Sequence, residues 1–196
     1  MRAGRFNKSE DRLSSSFLSC EKDTETIIQK LFIENREYGN ILKRLLLINT
    51  KDCLDDKANP VYIKKINNTS IKDLRDEGYI RLEPKILLKE NEEVKSYILI
   101  SFDNFTPNNS NPEFRDCVIS IDVICHTDYW DIGNYRLRPF KIVGYIDGIL
   151  NKTKLSGIGR LNLLGCSQIV LNEHLSGYSL MYSAIHGSDD FIELDE

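Results

Sequence analysis

The chain of 196 residues has no apolar run approaching the roughly 18 residues that a membrane-spanning helix needs. Its first residues, MRAGRFNKSEDRL, lack the apolar core of a signal peptide. The five cysteines are an odd number without the spacing of a disulfide framework, so we expect free thiols in a reducing cytoplasm. Charges of both signs are mixed, and the net charge of -4 indicates no basic nucleic-acid-binding face.

Several signatures of catalytic sites are also missing. No Gly-x-Ser-x-Gly nucleophile elbow occurs, and Gly157-Ile158-Gly159 lacks the third glycine of a dinucleotide-binding turn. The potential zinc ligands form no Cys-x2-Cys or His-x3-His pair; they are Cys117, Cys125, His126, Cys166, His174 and His186. The sequence therefore predicts a protein that is not an enzyme and that needs neither metal nor cofactor.

One group of acidic residues keeps an enzymatic alternative open. Asp122, Asp128 and Asp131 lie close together in sequence, and a magnesium-dependent nuclease needs such carboxylates. The neighbouring segment 113–116 does not supply the usual additional Lys or Glu at a suitable spacing. Asp128 and Asp131 are better explained as turn and capping residues, because aspartate accepts hydrogen bonds from free backbone N–H groups.

Patterning predicts one α+β domain over residues 21–190, between a flexible arm (1–20) and an acidic tail (191–196). Apolar residues at three- and four-residue spacings predict a long helix over 22–48. Ser70 and Asp73 form a capping-box pattern that opens a short helix. A second main helix is predicted over 139–150, with Pro139 in its first turn.

Alternating polarity predicts an antiparallel sheet of about five or six strands, with the two main helices packed on it. The clearest strand runs from Cys117 to Cys125, where every second residue is apolar. The other expected strands are 61–66, 79–88, 94–102, 160–164, 168–171 and 177–185.

The helix over 139–150 carries two glycines in an otherwise apolar segment. Its expected buried stripe consists of Phe140, Val143, Ile146, Ile149 and Leu150. Gly144 and Gly148 lie four residues apart, and each costs about 1 kcal/mol of helix stability relative to alanine. We therefore expect a close backbone approach at these glycines, against the sheet or against another subunit.

The segment between this strand and this helix is the expected contact surface. Tyr129 and the single tryptophan, Trp130, lie there between Asp128 and Asp131, and aromatic residues are enriched at interfaces. The alternative for Trp130 is that it closes one end of the core.

Two arginines open the helix at its positive end, where like charge is mildly unfavourable. They are Arg136 and Arg138. Their position suggests a carboxylate partner from a neighbouring subunit. The candidates are Asp189 and Asp190, or the terminal Glu193, Asp195 and Glu196. This predicts an inter-subunit ion pair.

The order of strand, Asp/Trp turn, helix, hairpin and Gly-Tyr strand resembles that of the tail terminator and tail-completion proteins of tailed bacteriophages. The matching residues are Ile119–Val123, Asp128–Trp130, Phe140–Leu150, Gly165 and Gly177–Tyr182, within residues 94–186. The resemblance implies a structural virion protein without catalytic residues. It also implies a homo-oligomeric ring, a hexamer or dodecamer, that terminates the tail or joins it to the head at the neck.

Such a ring would contact itself and neighbouring neck, connector or tail-tube proteins, with DNA only as passing cargo. It would be made in the host cytoplasm and would reside in the virion, and its loops 104–116 and 127–136 would face neighbouring rings. Two other functions remain open from the sequence. One is a metal-dependent nuclease or other small phage enzyme using Asp122, Asp128 and Asp131, and the other is a monomeric intracellular binding module.

Overall fold

The computed structural model describes residue 17 and residues 20–55, 60–82, 95–110 and 114–186. Its α-helices are α1 (Cys20–Gln29), α2 (Arg36–Leu47), α3 (Pro60–Asn68), α4 (Ile71–Asp76) and α5 (Arg138–Leu150). Its strands are β1 (Ile80–Arg81), β2 (Ser96–Pro107), β3 (Arg115–His126), β4 (Lys154–Leu155), β5 (Gly159–Arg160), β6 (Asn162–Val170) and β7 (Leu175–His186). Within these residues, no helix is both long enough and apolar enough to cross a bilayer.

The main sheet has five strands in the order β1-β2-β3-β7-β6, so the α+β class is confirmed. The prediction of a purely antiparallel sheet was wrong, because β1 runs parallel to β2. The chain leaves α4 through Gly78, which has a positive φ of 73°, and then runs beside β2 in the same direction. All other pairings in this sheet are antiparallel.

Strand β3 is central and shows the predicted alternation. The side chains on its core face are at most 4% exposed; they are Cys117, Ile119, Ile121, Val123 and Cys125. The opposite face carries partly exposed residues such as Ser120 and Asp122. The core lies between this apolar face and the helices. Helices α1, α2 and α5 contribute buried side chains such as Ile27, Leu42 and Ile142 to the same cluster.

The helix predicted over 22–48 is interrupted, which corrects the expectation of one continuous element. A π-helical stretch, Lys30–Glu34, separates α1 from α2, and Asn35 leaves the helical conformation with φ -104° and ψ 69°. The Asn35 side chain donates to the carbonyl of Lys30, and its own carbonyl accepts from Gly39 N. A Cβ at Gly39 would lie 2.5 Å from the Phe32 carbonyl oxygen, so glycine permits the close approach of the two segments.

Two further sequence expectations are corrected by the structure. Residues 61–66 lie in helix α3, not in a strand, and Pro60 stands at the helix start, where its missing N–H costs nothing. Helices α3 and α4 are therefore additional to the two main ones. The two strands expected at 160–164 and 168–171 form the single strand β6, whose bulge between Leu163 and Gly165 interrupts the alternation.

Helix α5 has the predicted bounds to within one residue, but its buried face differs. Ile142 and Ile146 are fully buried, whereas Phe140 is 51% exposed. An added Cβ would meet no atom within 4 Å at either Gly144 or Gly148, so the expected close approach to the sheet is absent. Contact of these glycines with another subunit remains a prediction.

The Cys125 thiol makes stability sensitive to alkaline pH. Complete burial raises its pKa from 9.0 to about 11. The unfolded chain therefore releases this proton first, and about 2 kcal/mol of stability is lost as the pH rises from 9 to 11. Urea unfolding at pH 8, 9, 10 and 11 should show this fall, and the Cys125→Ala variant should show a shallower one. An equal slope in both proteins would contradict the assignment.

Candidate assembly surface between β3 and α5

The loop joining β3 to α5, residues 127–137, is a compact turn with its own hydrogen bonds. A 3-10 turn, Thr127–Tyr129, follows β3, and Trp130 N donates to the Thr127 carbonyl at 3.2 Å. Farther along, Ile132 N donates to the Arg136 carbonyl at 3.0 Å. Ile132 is fully buried, so it anchors the loop in the core. The loop is therefore stabilised by hydrogen bonds and core contacts within its own chain.

Asp131 is a turn residue, as the capping interpretation predicted. Its carboxylate accepts from Gly133 N at 2.8 Å and from Lys51 Nζ at 2.9 Å. The Lys51 hydrogen bond and then the Gly133 hydrogen bond hold the pKa of this carboxyl below its usual range. Asp131 thus links the loop to the segment after α2.

Arg138 does not belong to any surface of this chain, which corrects its assignment to the interface. Its side chain is fully buried. The guanidinium donates to backbone carbonyls of Tyr129 at 2.8 Å, Ile48 at 2.9 Å and Thr50 at 3.2 Å, and also to Leu45. These acceptors lie in the loop and at the C-terminal end of α2, where carbonyl dipoles favour a cation.

Arg136 lies nearer the surface and is half-buried. Its guanidinium donates to the carbonyls of Gly133 and Ile132, and it lies 3.6 Å from an Asp55 carboxylate oxygen. The carboxylate predicted for Arg136 is thus supplied here by its own chain. Asp189 and Asp190, the partners proposed from the sequence, lie outside the described residues.

The position of Trp130 fits the alternative prediction, closure of one end of the core, better than that of a side chain protruding to bind a partner. It is half-buried against the core, and its indole N–H points to the Cys125 carbonyl at 3.4 Å. Its ring centroid lies 6.3 Å from that of Tyr178 on β7. Trp130 therefore closes the end of the core while keeping an exposed edge.

Asp128 and Tyr129 surround a buried histidine at the end of β3. His126 is 6% exposed and its Nδ1 accepts from Asp128 N at 3.3 Å. The His126 ring stacks on His174, with centroids 5.6 Å apart, and contacts Tyr129 edge-on. The Asp128 carboxylate is largely exposed, 3.6 Å from His126. Asp128 and Tyr129 thus remain available on the loop surface.

Tyr135 is the residue that the sequence interpretation missed. Its side chain is fully exposed at the tip of the loop. Asn134 and Tyr135 have positive φ values of 53° and 58°, a conformation that asparagine tolerates but tyrosine rarely adopts. Backbone strain of this kind is found at functional sites, where the surrounding structure maintains it. The only signal in the sequence was the dipeptide Gly133-Asn134, which is typical of a turn.

The three carboxylates of the nuclease alternative occupy different environments. Asp122 lies within β3, paired with Leu99 and Ser179, whereas Asp131 is bound to Lys51. Among the residues that the structure describes, no three His, Cys, Asp or Glu side chains are arranged to hold a metal ion. Cys117 and Cys125 are buried core residues, and Cys166 is an exposed thiol on β6.

Comparison with known proteins adds one finding. A family model described as YomW matches residues 40–184, which run from within α2 to near the end of β7. The match includes the sheet, α5 and the β3–α5 loop, and it leaves out α1. No curated protein matches the chain.

Proposed function

Because this chain belongs to the YomW family, which associates it with bacteriophages, we propose that it is a structural protein of the virion. In this proposal it forms a homo-oligomeric ring of six or twelve subunits at the neck or upper tail. The ring terminates the tail or joins it to the head, and DNA passes through it. The subunit performs no chemistry; it assembles by shape and by surface contacts.

The observation that carries the proposal is the preformed β3–α5 loop with Tyr135 at its tip. A loop fixed by its own hydrogen bonds loses little conformational freedom when a partner binds. Tyrosine is among the residues that contribute most to binding at protein interfaces. A rigid loop presenting a fully exposed tyrosine is therefore suited to assembly.

The sheet geometry supports two separate contact regions. Strand β3 begins at Arg115, near the turn 108–110, and ends at His126, beside the β3–α5 loop. A strand of this length spans about 40 Å. The two loop regions predicted to meet neighbouring rings therefore lie at opposite ends of the sheet, as a joining protein requires.

Cryo-electron microscopy and mass spectrometry of purified phage particles test this function. We expect the chain at the head–tail junction in six or twelve copies, and we expect Tyr135→Ala to reduce its incorporation. The Tyr38→Ala variant, at a tyrosine that is 46% exposed on α2, is the control. Absence of the chain from intact particles would contradict the proposal. Metal-dependent nuclease activity lost in Asp122→Ala, Asp128→Ala and Asp131→Ala would instead favour the enzyme alternative.

A further inference from the structure

Strand β6 forms one edge of the sheet in the described part of the chain. Its beginning is covered, because Leu163 N donates to the Asn151 side chain at 3.2 Å. Among the residues that the structure describes, none pairs with the outer edge of the following segment, residues 164–170. Soluble proteins usually protect such an edge with charged side chains, with proline, with a bulge or with a covering segment. The bulge of β6 lies at the start of the open segment, between Leu163 and Gly165, and residues 165–170 pair regularly with β7. The sequence NLLGCSQIV contains neither charge nor proline.

Two exposed side chains add apolar surface to this edge. Leu164 is 59% exposed and Val170 is 68% exposed, at opposite ends of the open segment. An uncharged edge with exposed apolar residues is a template for the addition of another strand.

We propose that residues 164–170 pair antiparallel with the same residues of a second copy, across a two-fold axis at Ser167. The sheets of the two copies then form one continuous sheet of ten strands. A two-fold contact uses the same surface on both subunits, so that surface must be complementary to itself. The uncharged segment meets this condition because no side chain in it repels its own copy.

The register about Ser167 covers both exposed apolar residues. Leu164 of one copy lies opposite Val170 of the other, and Cys166 lies opposite Gln168. Gly165 lies opposite Ile169 on the other face of the sheet. Directly opposed cross-strand side chains have Cβ atoms about 5 Å apart, which allows Leu164 and Val170 to pack.

Charges at the two ends of β6 favour the antiparallel orientation. The exposed cations Lys152, Lys154 and Arg160 lie beside the start of the strand. Glu173 follows its end, and its side chain is 83% exposed. Antiparallel pairing places the basic end of one copy beside the acidic end of the other, and the symmetry produces this contact twice. Parallel pairing would bring like charges together.

This dimer contact goes beyond the proposed ring, because it uses a different surface from the β3–α5 loop. Its presence or absence can be determined with purified protein, whereas the ring function is tested in phage particles. Failure of one proposal therefore does not imply failure of the other.

Sedimentation of the full-length chain and two matched variants tests the contact. Val170→Lys places a charge at the open edge, whereas Val61→Lys places one at an equally exposed valine, 67% exposed, on α3. We expect Val170→Lys to raise the dimer dissociation constant about tenfold, because symmetry introduces the charge twice. Val61→Lys should sediment as the wild type does. Circular dichroism should show that both variants are folded.

A charge exchange tests the orientation independently. Glu173→Lys should weaken dimerisation, and adding Lys154→Glu with Arg160→Glu should restore it. The proposal is overturned if the wild-type chain is a monomer at about 100 µM. It is also overturned if Val170→Lys and Val61→Lys associate equally, or if the charge exchange brings no recovery.

Discussion

Replacing Arg138 with methionine is expected to lower the free energy of unfolding by about 3–5 kcal/mol. The guanidinium donates to carbonyls of Tyr129, Ile48 and Thr50, and also to Leu45, and it is fully buried. Methionine fills much of the volume but donates no hydrogen bond. The carbonyls would then be buried without this donor, and each charge-assisted bond contributes about 1.5–3 kcal/mol.

Arg136 provides the matched control within the same loop. It is also an arginine beside backbone carbonyls, but it is half-buried, and its carboxylate neighbour is 3.6 Å away. Arg136→Met should therefore cost less than about 1 kcal/mol. Arg138→Lys should lie between the two, because lysine keeps the charge without the planar fork that reaches several acceptors.

Urea denaturation of the three variants at one protein concentration measures these differences. A loss below about 1 kcal/mol for Arg138→Met would show that water replaces the guanidinium at little cost. The expected loss is large compared with the total stability of a typical domain, about 5–15 kcal/mol. Arg138 therefore connects α5 and the loop to the end of α2 and determines how the candidate assembly surface is positioned.

The role of Arg138 could not be derived from the sequence. Its acceptors at Leu45 and Ile48 are 93 and 90 residues away in the chain, and they are backbone carbonyls. Every residue type provides a carbonyl, so no side-chain pattern indicates the partner. The sequence showed only a cation at a helix N-terminus, for which a carboxylate partner was the simplest explanation.

The predictable elements share a strong contrast between a buried and an exposed face. Strand β3 and helix α5 have such a contrast and were found within one or two residues of their bounds. The capping box of α4 was also found, because Ser70 and Asp73 satisfy each other's backbone N–H groups. These signals depend only on residues within one element, so the local sequence is enough to predict them.

The incorrectly predicted elements lack that contrast. In α3 only Ile66 is buried, so its β-branched residues suggested a strand although the helix lies on the surface. Strand β6 is exposed on much of both faces and contains a bulge. Two separate strands were therefore predicted in its place. Tyr135 was missed for a related reason, because exposure at a loop tip leaves no periodic signal.

Substitution of Gly177 by alanine is expected to be as disruptive as loss of Arg138. Gly177 lies in β7 opposite Ile124, and an added Cβ would be only 1.7 Å from the Val123 carbonyl oxygen. The obstructing atoms belong to the backbone of β3, so no side-chain rotation can relieve the contact. The strands must separate, with a cost of about 3 kcal/mol or more.

Gly144→Ala is the matched control, because the same methyl group would there enter open space on α5. That variant should gain up to about 1 kcal/mol from the higher helix propensity of alanine. Urea unfolding of both variants should therefore give shifts of opposite sign from the wild type. A Gly177→Ala protein as stable as Gly144→Ala would mean that β3 and β7 separate at no cost. In that case β3 and β7 could move apart easily. The β3–α5 loop and the β6 edge, which these two strands support, would then not be held in fixed positions.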